Sequence, residues 1–399
     1  MKTFHLLLLC GVFGVGLNLA TAQHPSSALQ PYTEFLATQD MPAKDYVLSL
    51  FNTYDLVILC ERDHRDTTQY DLFLDILRDQ RFIDNVGNLF TEIGVSNLNP
   101  KLNAFLHSGA LSPDSVRRAI SKFQRNCSYY PFWENANFSY LLAGLYGINQ
   151  QLPPAAKINL YPSDMPLDWS EMDSAKYGKF MASIDSRDSI IASQIIGNFD
   201  RIRSSNERRK KALVIMNYRH AFGRKFQHPS GKKPRNVGRY LFDSYGDRVA
   251  NVYLNFVALR FADSSGNEID YVPIHDGIWD AAFRASGRTN AGFSLDGSPF
   301  GKDRFDIWPF QTPFTFNDVF TGFMYYLPPE QMRCVVGVPD VVDSAAAIEM
   351  VRRLGIYNAA MGTSSTPTIE VVLKDYNTRR EYPINRIDSI KAGIEKWFQ

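Results

Sequence analysis

Four short apolar runs, each closed by an acid or a histidine, constrain this chain more than any other feature. Leu56-Val57-Ile58-Leu59-Cys60 runs into Glu61 and, three residues later, into His64. Asn88-Leu89-Phe90-Thr91 leads to Glu92, and Lys157-Ile158-Asn159-Leu160-Tyr161 leads to Asp164. Ala212-Leu213-Val214-Ile215-Met216 leads to His220. Short unbroken apolar runs are the pattern of strands buried on both faces. Helical patterns separate them. Behind His64, the polar residues Asp66, Thr67 and Thr68 can cap a helix whose apolar positions Tyr70, Phe73, Leu74 and Leu77 recur at i, i+3, i+4 and i+7. Strands alternating with helices specify an α/β fold, a mainly parallel central sheet flanked by helices in three layers. The carboxyl ends of such strands share one edge, where ligands bind. An ordinary polar loop accounts for any single one of these residues. The set of four points to one shared cleft.

The ends of the chain read differently. Met1-Lys2-Thr3, an apolar region over 6–19 and Ala20-Thr21-Ala22 have the form of a secretory signal peptide, 1–22, with cleavage before Gln23. The expected mature protein is exported, periplasmic or secreted, with no stable membrane span. An α/β domain is expected over 23–332, with a helical insertion at about 95–151. Residues 333–399 form a small C-terminal α/β extension, which can be a separate module. With a net charge of +1 across 399 residues, nothing calls for nucleic acid or another acidic polymer as a partner. The partner expected is a small-molecule substrate. Behind the leader stand Cys60, Cys127 and Cys334, too few for a disulfide framework, although Cys127 with Cys334 allows one bridge. Asn126-Cys127-Ser128 and Asn137-Phe138-Ser139 fit the glycosylation pattern.

Periodicity predicts one helix over 177–203 and a strand over 249–261. In the tail it predicts a helix over 344–354, a strand over 368–373 and a helix over 387–398. The aromatic cluster of Tyr129, Tyr130, Phe132, Trp133, Phe138 and Tyr140 reads as core packing more readily than as a substrate wall. The basic loop 224–235, with His228, reads as a lid or an exposed surface. No Gly-x-Ser-x-Gly elbow, phosphate-binding glycine loop or His-Glu-x-x-His motif is present.

Cys60-Glu61-Arg62-Asp63-His64-Arg65 resembles the Gly-Glu-Ser-Thr-His-Gly motif of the erythromycin esterase-like family, at the end of its first strand. Thr91-Glu92 resembles that family's second glutamate, and Tyr161-Pro162-Ser163-Asp164 its Tyr-Gly-x-Asp. Arg187-Asp188 and Asn217-Tyr218-Arg219-His220 are similar to its Arg-Asp helix and His-Asn-x-His ending. Gly238-Arg239-Tyr240-Leu241 and Tyr245-Gly246 continue the likeness, which spans roughly 40–330. The wider superfamily includes ChaN-like haem-binding and TIKI/TraB proteins. Three motif positions depart from the family, at Cys60, Arg65 and Asn217.

The resemblance implies an esterase-type hydrolase without a cofactor. Histidine chemistry then makes His64 the general base, with Glu61 or Glu92 orienting its ring. Arg187 would bind a substrate oxygen or the developing oxyanion, and His220 would act as the second acid. Asp164, Asn217 and Arg65 are expected at the substrate. One alternative is a metallohydrolase of TIKI-like type, with a divalent metal on Glu61, His64, Glu92 and His220. Another is a non-catalytic binder of a small molecule or haem with a decayed site.

Overall fold

The computed structural model describes residues 26–223, 236–261, 269–307, 314–363 and 367–399. The leader 1–22 and the basic loop with His228 lie outside the described residues. The strands described are, in chain order, β1 (Leu56–Glu61), β2 (Asn88–Val95), β3 (Asn159–Asp164), β4 (Ala212–Asn217), β5 (Val249–Leu254), β6 (Val257–Phe261), β7 (Ile269–Pro273), β8 (Asn290–Ser294), β9 (Gly322–Tyr326), β10 (Arg333–Val336) and β11 (Arg380–Pro383). Seven of them form one sheet in the order β3-β2-β4-β1-β5-β9-β8. Its neighbours are parallel except β8, which runs antiparallel to β9. The fold is α/β with a mostly parallel central sheet, as the four runs predict.

Side-chain alternation explains why these runs are unbroken. Leu56, Ile58 and Cys60 of β1 enter one core, and Val57 and Leu59 enter the other. In β4, Ala212, Val214 and Met216 divide from Leu213 and Ile215 in the same way. Helix Arg187–Ser204 covers the first face with Ile191, Ile195 and Phe199. Helices Thr68–Arg78 and Asn137–Gln150 cover the second with Phe73, Leu77, Leu141 and Leu145. A strand sandwiched this way has no solvent face to make polar, and each buried aliphatic side chain contributes about 1.5–3 kcal/mol.

The expected single helix over 177–203 is two helices, Ser174–Met181 and Arg187–Ser204, with a short turn at Ile184–Ser186. Serine hydroxyls make the break, since Ser183 donates to the Phe180 carbonyl at 2.6 Å and Ser186 to that of Ser183 at 2.7 Å. Arg187 and Asp188 thereby open a helix. The expected strand over 249–261 also divides. Asn255 accepts from the backbone of Tyr326 at 2.9 Å and donates to the carbonyl of Leu327 at 2.9 Å, closing β5, and β6 leaves to pair with β7. The expected strand over 368–373 lies in helix Ile369–Asn377, where Thr368 caps the Val371 amide and Val372 packs into an apolar cluster with Met350.

Cys60, Cys127 and Cys334 are all buried and free, so the Cys127–Cys334 bridge is not formed. Asn137 is fully buried and hydrogen-bonded, which removes it as a glycosylation acceptor in the folded chain. In the tail, β10 pairs with β11 along one edge and with two loops of the main body along the other. The Thr67 amide donates to Arg333 O at 3.0 Å, and the Val335 amide donates to Arg65 O at 2.7 Å. Further along the same edge the Gly337 amide donates to Glu134 O at 2.8 Å, and the Ala136 amide to Val335 O at 3.3 Å.

Candidate active site

β1 ends at Glu61, which is fully buried and paired in register with Asn217 at the end of β4. The chain then turns so that His64 Nδ1 lies 2.8 Å from Glu61 Oε2. The other oxygen, Oε1, accepts from the Tyr70 hydroxyl at 2.6 Å and from Asn137 Nδ2 at 3.1 Å. Burial, then Glu61, pushes the Tyr70 phenol well above its ordinary range, so it stays a donor. Trp133 completes the setting. Its indole N–H donates to Asn137 Oδ1 at 3.0 Å, and its ring meets the His64 ring edge-on at 5.1 Å. Burial alone would lower the His64 imidazole, but Glu61, then Glu92 and Asp63, raise it to about 9. The His64 side chain keeps 23% of its surface exposed, so it also faces the opening.

Glu92 reaches the same edge through an irregularity in β2, whose register with β3 shifts between Thr91 and Val95. Gly94 sits in this bulge at φ +104°, and a Cβ there would approach Pro162 Cβ to 2.6 Å. Only glycine fits both demands. Glu92 Oε1 accepts from Arg187 at 2.9 Å and lies 3.4 Å from His220 Nε2, while Oε2 accepts from the Asn217 amide at 2.8 Å. Burial would raise the Glu92 carboxyl, but His220, Arg187 and His64 hold it well below the ordinary range. Its electrostatic coupling to His64 links the two halves of the site.

Arg187 is the hub of the second half. It donates through Nε and Nη2 to Asp164 at 2.9 and 3.1 Å, through Nη2 to Glu92, and lies with Nη1 3.3 Å from His220 Nε2. Tyr129 covers its guanidinium at 5.4 Å. His220 Nδ1 is 2.7 Å from Asp188. Burial would lower the His220 imidazole, but Glu92 and Asp188 raise it, with Arg187 pushing back.

The structure therefore brings Glu61, His64, Glu92, Arg187, Asp164 and His220 to neighbouring strand ends on one edge. Three residues expected at the substrate are turned to the protein instead. Asp164 is buried and clamps Arg187. Asn217 gives its amide N–H to Glu92 and its side chain to Arg62 O at 2.8 Å. Arg65 is paired with Asp63 and stands by the Tyr382 ring of β11 at 5.8 Å. Their short or forked polar groups satisfy buried partners first, because an unpaired buried polar group costs about 1–3 kcal/mol. Sequence reasoning missed Tyr70, Asn137, Trp133 and Asp188 as site residues. It also missed Arg62, fully buried and held by Asp66 at 3.0 Å and Asn255 at 2.6 Å. The signals were a tyrosine on a core stripe, an asparagine in a sequon, an aromatic cluster and, for Asp188, its place in the Arg187-Asp188 pair.

The alternative metal set does not fit this arrangement. Among the described residues, no group of three or more His, Cys, Asp or Glu side chains is placed to hold a metal ion. A guanidinium occupies Glu92, and the two histidines are engaged by separate carboxylates.

No protein-family model matches this chain, and no curated protein matches it in sequence. Its structure is similar to that of an erythromycin esterase. That protein, a mutant of EreC in its open conformation, is 12% identical over 77% of this chain and 97% of its own, with a TM-score of 0.45. A protein from Bacillus cereus is 12% identical over 75% of this chain and 97% of its own, with a TM-score of 0.44. A succinoglycan biosynthesis protein is 10% identical over 76% of this chain and 98% of its own, with a TM-score of 0.45. At such identities the likeness concerns chain arrangement and leaves the chemistry to this site's own residues.

Proposed function

We propose that this protein is a hydrolase that cleaves an ester or lactone with water activated by His64. One observation carries the reading: a histidine at the mouth of the strand ends has a buried carboxylate on Nδ1 and no protein partner on Nε2 among the described residues. Glu61 orients the ring and stabilises the imidazolium, and Tyr70 and Asn137 fix Glu61. In the reaction, His64 Nε2 takes a proton from water as the oxygen attacks the carbonyl carbon. The carbonyl electrons move to oxygen, and the tetrahedral oxyanion forms. Arg187 has five N–H groups and spends four on Asp164, Glu92 and His220, which leaves one for that oxyanion. Collapse breaks the bond to the leaving oxygen, which takes the proton that His64 Nε2 removed from water, while His220 holds Arg187 in place. The Trp133 and Tyr129 rings beside these groups suit a substrate with apolar or ring surface next to the ester.

The test is a screen of esters and lactones with the purified protein, repeated on His64→Ala and His220→Ala with folding checked by circular dichroism. Turnover that both variants leave unchanged would overturn the reading. An exported setting belongs to the same proposal, and amino-terminal sequencing of the native protein should begin at Gln23.

A further inference from the structure

A second concavity lies at the edge of the sheet opposite the candidate active site. It is a cleft of about 480 Å³ at the amino-terminal ends of β1, β2 and β4, lined by the segments that lead into those strands. This is the volume of a small-molecule site. Ser49, Asn52 and Asn85 give it a polar lining, and its apolar members Leu48 and Phe51 are buried. Four cations, Arg81, Arg208, Lys210 and Lys211, line it against one acid, Asp84. The surrounding charges do not cancel that surplus. Asp45 and Asp79 are taken by Arg81 and Lys44, and Glu207 and Asp84 act on Arg209. The two lysines are held by uncharged oxygens at helix ends. Lys210 Nζ donates to Ile202 O at 3.1 Å and to Ser205 O, at the end of helix Arg187–Ser204. Lys211 Nζ donates to Phe51 O, at the end of helix Ala43–Leu50. A helix end carries about half a negative charge, so it fixes an ammonium without neutralising it. Arg208 has no side-chain hydrogen bond or ion pair among the described residues, which leaves its five N–H groups open. Two fixed ammoniums beside an open guanidinium match the double charge and the several acceptor oxygens of a phosphate.

We propose that this cleft binds a small phosphorylated polyol of the sugar-phosphate class, with the phosphate on Arg208, Lys210 and Lys211 and the hydroxyls against Ser49, Asn52 and Asn85. A soluble ligand suits it better than a lipid headgroup, because the lining offers no exposed apolar side chain to enter a bilayer. The proposal is independent of the hydrolase reading, because none of these residues belongs to the strand-end site.

Isothermal titration of the full chain with glucose 6-phosphate at physiological salt should show saturable binding of one molecule. Glucose, which lacks the anion, should not bind. Inorganic phosphate, which lacks the polyol, should bind at least threefold more weakly, and succinate, a dianion of different shape, at least tenfold more weakly. Arg208→Ala should weaken glucose 6-phosphate roughly three- to tenfold. Arg208→Glu should abolish binding while the melting temperature stays near wild type, since the side chain is exposed. Lys211→Gln should weaken binding at least threefold, and if the loss of its helix-end bond prevents folding, Arg208→Glu decides. Phosphatidylcholine vesicles carrying phosphatidylinositol 4-phosphate should not retain the chain. Absence of saturable glucose 6-phosphate binding, equal affinity for succinate or for inorganic phosphate, or binding untouched by Arg208→Glu would overturn the proposal. Vesicle retention that Arg208→Glu removes would overturn the soluble ligand in favour of a lipid headgroup.

Discussion

His64 and His220 stand at the ends of adjacent parallel strands and are tied to the protein in opposite ways. His64 has one carboxylate, on Nδ1, and that carboxylate is steadied by neutral donors from Tyr70 and Asn137. His220 lies between two carboxylates, Asp188 and Glu92, with the Arg187 guanidinium 3.3 Å from its Nε2. A ring with one charged partner and one open nitrogen can exchange a proton with a ligand. A ring enclosed by charges on both sides mainly holds a geometry, and gives up its proton only as a neighbouring charge changes. In the proposed reaction the two clusters divide the work between proton transfer at His64 and a rigid electrostatic frame around Arg187.

The largest effect should come from His64. His64→Ala is expected to lower hydrolysis by on the order of 10² to 10⁴, with His220→Ala costing less, on the order of 10 to 10². Steady-state kinetics on the two variants would reverse the division of roles if His220→Ala proved the more damaging.

Arg187→Ala should act on the frame. It leaves Glu92 and Asp164 buried without their cation, and the expected loss is about 3–5 kcal/mol of unfolding free energy in urea titration. A loss below about 1 kcal/mol would mean that the cluster is solvated rather than closed.

Tyr70→Phe removes one neutral donor from Glu61 while keeping the ring in the core. A loss of about 1–3 kcal/mol in transition-state stabilisation is expected, seen mostly in kcat. The same substitution should barely move the Arg187 frame.

The subtlest prediction concerns pH. His64 is raised to about 9 from its ordinary 6.5, so its proton is held more tightly in the folded chain. The stabilisation from its pairing with Glu61 is full below about pH 6.5 and fades as pH rises through about 9. The stability difference between wild type and His64→Gln should shrink over that window. Hydrolysis needs the neutral ring, so the rate should climb over the same range. Rate and stability should therefore move in opposite directions with pH. A rate that levels off near pH 6.5 would show that Glu61 does not hold the proton in the working enzyme.

Much of this contrast was legible in the chain. Runs such as Leu56–Cys60 are apolar because both faces of a central strand are covered, so the charged residue that follows must lie at the sheet's edge. That logic located Glu61, Glu92, Asp164 and His220. It could not locate Tyr70 or Asn137, because each occupies a helix position where packing alone explains its burial. Nor could it separate Asp188 from Asp164. Which carboxylate meets His220 depends on serine hydroxyls breaking the preceding helix, a local competition that periodicity does not register. The β-branched run after Thr368 misled for a related reason, since an end cap and one buried valine outweigh strand propensity there.

The course of β10 has a consequence in time. Thr67 and Arg333 touch although 266 residues separate them in the chain. The four strand ends that bear the site are all made long before Arg333 emerges from a ribosome. The loop bearing His64 and the segment bearing Trp133 and Asn137 acquire their shared neighbour only when the tail arrives. During synthesis the sheet can form early, at modest closure entropy, while the backbone pairing of these two segments with β10 comes only after residue 333. A nascent chain halted before that point is expected to lack the backbone bonds that β10 gives to Arg65, Thr67, Glu134 and Ala136.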